Sequence, residues 1–293
     1  MTKRAFVMGA GGAVGEAIAL RLAQRGWRVR GGVRTQRSEI LRRLEAGGVE
    51  IVACDLSETT RWSADAAGAD AVVFTTNLAP TAAALRQAAL SCERLVVFSS
   101  NNVAADPSAP TYQTLAEAER TVRALHPGCT IIRPTMIYGD PRLPTLTRVA
   151  RFAKRYRILP LIGGGRARIQ PVFFADLGAS AATLCESSAP SGVFAIGGPE
   201  VVTMRELYHR IRAALGEHAL VATVPRWALA VAAPLWHKFG IDAEQLARAD
   251  KDRVAIEQDA LPREARPSTL LALGLEHLAR EMKHIETSAG AAG

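Results

Sequence analysis

The chain has 293 residues, 48% of them hydrophobic, which suits an enzyme-like body able to bury a sizeable core. Its 36 Lys and Arg against 28 Asp and Glu give a net charge of +8, spread along the chain; this favours anionic ligands such as nucleotide phosphates. No block of basic residues interleaved with aromatics argues for nucleic acid. Cys54, Cys92, Cys129 and Cys185 have neither CxxC spacing nor a disulfide-dense pattern, so they read as reduced thiols of a cytoplasmic protein, and the six histidines lack metal-ligand spacing.

In chain order, an apolar strand Arg4–Met8 leads into Gly9-Ala10-Gly11-Gly12-Ala13-Val14-Gly15 and then a helix from Ala13 to Arg25. Gly9 permits a tight turn, Gly11 or Gly12 clears the approach to a pyrophosphate, and Gly15 lets the helix lie close to the sheet. A diphosphate would sit on free backbone N–H groups, including those of Ala13 and Val14, at the positive end of the helix dipole. The next strand, Trp27–Val33, ends at Arg34, where an acidic residue would hold the ribose hydroxyls of NAD. An arginine fork suits a 2′-phosphate, with Arg37 close enough in sequence to assist, so the expected cofactor is NADP(H) ahead of NAD(H).

Further apolar runs follow at 50–53, 71–75, 94–99 and 129–133, separated by alanine-rich helical stretches. The start of the chain enters a strand almost at once, which leaves no room for a secretory signal. The alternation predicts an α/β fold: a Rossmann-type, doubly wound parallel sheet with right-handed crossovers and a smaller C-terminal substrate lobe. Ligands of such sheets lie at the carboxyl ends of the strands. Those ends carry Asp55, Thr75-Thr76-Asn77, Ser99-Ser100-Asn101 and Pro134-Thr135.

Taken together, Gly9/Gly12/Gly15, Arg34, Asp55-Leu56, Val97–Ser100, Glu117–Arg120, Ile132–Gly139, Pro171-Val172 and Asp176-Leu177 resemble the extended and atypical short-chain dehydrogenases/reductases. The likeness is to NAD(P)-binding epimerase/dehydratase-like proteins, including the branch related to an accessory subunit of respiratory complex I, and spans about Lys3 to Gly216. The resemblance implies that Asp55 and Leu56 meet the adenine. Thr75 and Thr76, with Asn77 beside them, would border the ribose, and Pro134 with Thr135 would lie near the nicotinamide. It further implies that Ser99 or Ser100 polarises a substrate oxygen and that Tyr112 is the acid/base. Family enzymes place a lysine four residues after that tyrosine; here the position is Ala116, or Leu115 if the helix is aligned on Glu119, which puts Thr111 in the tyrosine's place. Either way the ammonium that would lower the phenol pKa is missing.

The second half predicts an amphipathic helix Leu146–Arg157 whose basic face is either solvated surface or, with Arg166 and Arg168, a wall for an anionic substrate group. Asp176 is expected to cap a helix running through Ser187, and Thr203 with Glu206 to open a helix Met204–Leu215 closed by Gly216. Pro225–Trp236 is apolar yet too short to span a bilayer; it fits a buried helix, a lid over an apolar substrate or a peripheral membrane contact. The expected divisions are a dinucleotide-binding domain at 1–140, a mixed segment with the substrate lobe at 141–286, and a disordered tail from Thr287 to Gly293. Two function classes fit. One is an NADP(H)-dependent oxidoreductase or epimerase acting on a small or lipid-like carbonyl or alcohol; the other is a non-catalytic NADP(H)-binding redox sensor or assembly factor.

Overall fold

The computed structural model describes residues 2–34, 38–186, 188–216, 218–224, 251–257 and 259–290. The chain divides into two compact units: Met1–Thr135 with Phe174–Gly197 and Ala255–Ser268, and Met136–Phe173 with Gly198–Val254 and Thr269–Gly293. The first unit's opening segment therefore ends at Thr135, ahead of the expected boundary at 140.

The first unit is built on a seven-stranded sheet. Its strands are β1 (Arg4–Met8), β2 (Arg28–Val33), β3 (Val49–Ala53), β4 (Ala71–Phe74), β5 (Arg94–Phe98), β6 (Thr130–Pro134) and β11 (Gly192–Ile196). All pair in parallel, in the order β11-β6-β5-β4-β1-β2-β3. Helices on both faces leave β4, β5 and β6 buried throughout, which explains why these strands read as continuous apolar runs instead of alternating ones. The core on one face gathers Phe6, Phe74, Val97 and Ile131 against Trp62, Leu85 and Val122, with Trp62 set edge-on to Phe74 at 5.2 Å. Each such side chain stabilises by about 1.5–3 kcal/mol.

The six anticipated strands form to within one residue at each end; β11 was not anticipated. It returns beside β6 after the long helix α8 (Phe174–Leu184), and only that distant pairing makes a strand of Gly-Val-Phe-Ala-Ile. Asp176 is not the residue before a helix but lies in the first turn of α8, and its Oδ2 accepts the Ser268 N–H at 2.7 Å. The helix ends at Leu184, short of the expected Ser187, which lies outside the described residues. The last segment of this unit is held the same way elsewhere, the Asn101 Oδ1 accepting the Ile256 N–H at 2.9 Å.

The second unit uses short two-stranded pieces. These are β7 (Ile137–Tyr138) with β10 (Val172–Phe173), β8 (Ile158–Ile162) with β13 (Leu220–Val224), and β9 (Arg168–Ile169) with β12 (Val202–Thr203). Around Tyr138, Leu159 and Ile169 pack α7 (Pro144–Tyr156), α9 (Met204–Leu215) and a final helix, α10 (Leu271–Gly290), through Leu146, Leu207, Ile211, Leu275, Leu278 and Met282. The α9 cap forms as the sequence specifies: Thr203 Oγ1 accepts the Glu206 N–H, Glu206 accepts the Thr203 N–H, and Gly216 ends the helix at φ 63°. Glu200 ties α9 to α10, because hydrogen bonds from Arg210 and then from the Leu271 N–H hold its carboxyl below the usual glutamate range.

Two expectations change here. Helix α10 continues through Thr287 to Gly290, where the Thr287 hydroxyl donates to the Lys283 and His284 carbonyls, so the tail is helical up to that point. The charge is also not spread evenly: residues 136–173 carry eight Lys and Arg against a single acidic residue, Asp140, nearly the whole excess of the chain.

Candidate functional site

The chain's winding reverses at β1, which lies between β2 and β4, so the crevice beyond its carboxyl end is flanked by strands reached in opposite directions. Gly9 sits there at φ 88°, a left-handed conformation that favours glycine, and the Gly9 and Ala10 N–H groups both bond the Gly32 carbonyl, at 3.0 and 3.1 Å. The Thr75 hydroxyl donates to the Met8 and Gly9 carbonyls at 3.1 and 3.3 Å. A Cβ on Gly15 would fall 2.2 Å from the Gly9 carbonyl oxygen, so this glycine lets α1 (Ala13–Gln24) close onto the turn. A Cβ on Gly12 would meet only the same oxygen, at 3.4 Å, and Gly11 faces Val33 at ordinary contact distance. The space outside Gly12 is therefore open. As N-cap, Gly12 offers no side chain to the first-turn N–H groups of α1, those of Ala13, Val14 and Gly15. The one acid of that turn, Glu16, is buried and paired with Arg43 at 2.7 Å, which neutralises a charge that would oppose an anion there.

Arg34 follows β2 and is exposed; Arg37 lies outside the described residues. At the end of β3 the Ser57 hydroxyl and N–H hold the Asp55 carboxyl below its usual range, and Arg34 contributes a smaller attraction. The Leu56 carbonyl accepts the Trp62 indole N–H at 3.1 Å, which fixes the turn that carries both residues. Burial pushes the neighbouring Cys54 thiol up to about 11, and Cys92 and Cys185 up to about 11 and 12. All four cysteines are free thiols. Three of them are thus held protonated at neutral pH and unsuited to nucleophilic work.

Past β4, the Thr76 and Thr81 hydroxyls share a hydrogen bond at 2.9 Å, and Asn77 caps α4 (Leu78–Gln87) by accepting the Ala79 N–H. Pro134 ends β6, and the Thr135 N–H bonds the Ile196 carbonyl at 3.0 Å. The sheet thus brings Gly9–Gly15, Arg34, Asp55, Thr75, Ser99 and Pro134 to one edge, as the alternation predicts.

At the end of β5 the two serines part company. The Ser99 hydroxyl donates at 2.5 Å to Glu119 on α6 (Pro110–Leu125), and Glu119 also accepts two guanidinium bonds from Arg133 of β6, at 2.9 and 2.5 Å. Both charged side chains are less than a tenth exposed. Ser100 Oγ accepts the Asn102 N–H at 3.2 Å, which leaves its own proton available to donate. The Asn102 amide donates to the buried Tyr112 hydroxyl at 2.8 Å. Leu115 packs into the core and Ala116 lines an open hollow of about 640 Å³ with Tyr112, so neither alternative lysine position supplies a charge. Sequence reading passed over Arg133 and Asn102 and used Glu119 only for alignment. An arginine inside the apolar strand Thr-Ile-Ile-Arg-Pro, with a glutamate on the buried stripe Ala118–Val122, was the available signal.

Among the described residues no group of three His, Cys, Asp or Glu is arranged to hold a metal, and no helix is long and apolar enough to cross a membrane. Pro225–Trp236 lies outside the described residues.

A parallel sheet that reverses at a glycine turn defines a Rossmann-type α/β fold. Within that class the chain belongs to the NmrA-like family, whose profile matches residues 1–151. It is similar in structure to UDP-glucuronic acid 4-epimerase from Bacillus cereus, solved with UDP-glucuronic acid and NAD, at a TM-score of 0.72 and 14% identity over 96% of this chain and 99% of that one. DesIV, a dTDP-glucose 4,6-dehydratase from Streptomyces venezuelae solved with NAD, gives 0.72 and 18% identity over 96% and 97%. At such identities the likeness is one of fold. A curated relative, the alpha subcomplex subunit 9 of mitochondrial NADH dehydrogenase from Arabidopsis thaliana, is 41% identical over 95 residues, 31% of this chain and 23% of the plant protein. The chain thus spans under a quarter of that relative's length.

Proposed function

We propose that the protein is a nicotinamide-dinucleotide-dependent oxidoreductase or epimerase of the short-chain dehydrogenase/reductase type, preferring NADP(H) to NAD(H) and acting on a small or lipid-like carbonyl or alcohol. The observation that carries this reading is the contrast between Gly15, where a Cβ has no room, and Gly12, where the space is open beside unfilled helix N–H groups. The residues present fit the cofactor: Gly11 to Gly15 would hold the diphosphate, Asp55 and Leu56 the adenine, Thr75 to Asn77 the ribose, and Pro134 with Thr135 the nicotinamide. Arg34, exposed and beside Asp55, would take a 2′-phosphate. The similar epimerase and dehydratase carry NAD by their names, which supports the dinucleotide and leaves the 2′-phosphate to Arg34. The free thiols fit a reducing compartment, and a cytoplasmic location is part of the proposal.

When bound, the nicotinamide supplies hydride exchange with a carbon that bears oxygen. Ser100 is the group to donate a hydrogen bond to that oxygen, since its proton is uncommitted, whereas Ser99 spends its proton on Glu119. Tyr112, with Leu115 and Ala116 where a lysine was expected, serves as a neutral donor oriented by Asn102. Calorimetry tests the cofactor reading. NADPH should bind more tightly than NADH, and Arg34→Ala should weaken NADPH by about 1.5–3 kcal/mol while changing NADH little. Equal affinities in the native protein would overturn the preference.

The lysine's absence at both alternative positions favours a second reading, a non-catalytic NADP(H)-binding redox sensor or assembly factor. The partial likeness to a subunit of NADH dehydrogenase supports it. Tight NADPH binding without turnover over a panel of carbonyl substrates would put this reading in place of the first.

A further inference from the structure

We propose that the outer face of α7 docks the protein on an anionic lipid bilayer surface. The inference stands on the second unit alone and does not depend on the dinucleotide reading. Arg148, Arg151, Lys154 and Arg155 lie within α7 and Arg157 immediately follows it, with no acidic residue among the helix's thirteen. Leu146, Ala150 and Ala153 point into the core, so at 3.6 residues per turn Arg148, Arg151 and Arg155 fall on the opposite, exposed face. Lys154, at the flank, is held by Glu286 at 2.9 Å. Among the described residues no carboxylate pairs with Arg151 or Arg155.

Apolar groups border these cations. Phe152 and Tyr156 lie along the edge of the arginine stripe with ring centroids 4.7 Å apart, and Tyr156 is 48% exposed. Leu220, 64% exposed, is brought to the carboxyl end of α7 by its N–H, which bonds the Arg157 carbonyl at 2.9 Å. Guanidinium groups matched to phosphate, with an aromatic and an aliphatic side chain at the same level, are what the headgroup boundary of an anionic leaflet accommodates. A single-stranded polynucleotide fits less well. It needs open ring faces for stacking, while the Tyr156 ring is engaged by Phe152 and by the Arg155 guanidinium 5.6 Å from its centroid, and Leu220 cannot stack.

Cosedimentation of the whole chain with vesicles tests this, using phosphatidylcholine alone or with about one-third phosphatidylserine. Binding is expected to the anionic vesicles only and to fall as salt rises. The double variant Arg151→Glu/Arg155→Glu should lose at least about tenfold in vesicle affinity with an unchanged circular dichroism spectrum. Leu220→Ser leaves every charge in place and should lose about threefold or more without altering the salt dependence, so the proposal stays testable if charge reversal disturbs the helix. Absence of binding to anionic vesicles, or native affinity in both variants, overturns it. So does a result in which only a single-stranded oligonucleotide binds and the arginine variant abolishes that binding.

Discussion

At the carboxyl end of β1 the chain has what a phosphate-binding turn requires, whereas near the carboxyl end of β5 it departs from the pattern that the motif resemblance implies. The turn works through backbone: a left-handed Gly9, a close contact at Gly15, an open approach at Gly12 and helix N–H groups without a capping side chain. The β5 edge works through side chains, and there Ser99 is bonded to a buried ion pair, the tyrosine on α6 is held by an amide, and positions 115 and 116 hold Leu and Ala where a lysine was expected. Cradling a diphosphate asks chiefly for a backbone shape. Moving a proton asks for particular ionisable groups, and those can change while the fold stands.

The largest expected effect comes from breaking the β5 edge. Arg133→Ala strands the Glu119 carboxylate inside the protein and should cost about 3–5 kcal/mol in urea unfolding, while Glu119→Leu/Arg133→Met should cost much less, because no charge is left unpaired. A loss below about 1 kcal/mol for Arg133→Ala would mean that water reaches the pair. Next comes the turn. Gly12→Val should reduce dinucleotide affinity about 100-fold or more with little change in Tm, whereas Gly15→Ala should also destabilise the fold by about 1–3 kcal/mol, since its Cβ meets backbone. Undiminished binding in folded Gly12→Val would place the phosphates elsewhere. The smallest stability effect belongs to Tyr112→Phe, about 1 kcal/mol from the lost Asn102 bond. If the protein turns over a carbonyl substrate, that variant should keep partial rate while Ser100→Ala falls about 10²-fold, and the opposite order would return the chemistry to the tyrosine.

Most of the glycine turn and of the polar strand-end edge was legible in the sequence because each part of it is local. A strand, a glycine turn and a helix are consecutive, and the polar residues that close β3, β4, β5 and β6 mark one edge as soon as the strands are taken as parallel. The second unit was less legible. Its strands pair across long separations, β8 with β13 and β9 with β12, whereas the amphipathic helix expected at 146–157 forms as α7 with Leu146, Ala150 and Ala153 buried. Counted along the chain the charge looks dispersed; counted within residues 136–173 it is concentrated.

The sequence by itself determined the parallel α/β class, the glycine turn, Arg34 at the end of β2 and the missing lysine, since these depend on residue type and short-range order. Tertiary structure alone decided that β11 completes the sheet, that Asp176 receives Ser268, and that Ser99 is bonded to Glu119 and Arg133 while Ser100 is not. The physical reason lies in the partners. A turn or a helix cap is satisfied by neighbours within a few residues, but a buried carboxylate is satisfied by whatever the packing of distant elements brings to it, and adjacent serines differ only in the direction each one faces.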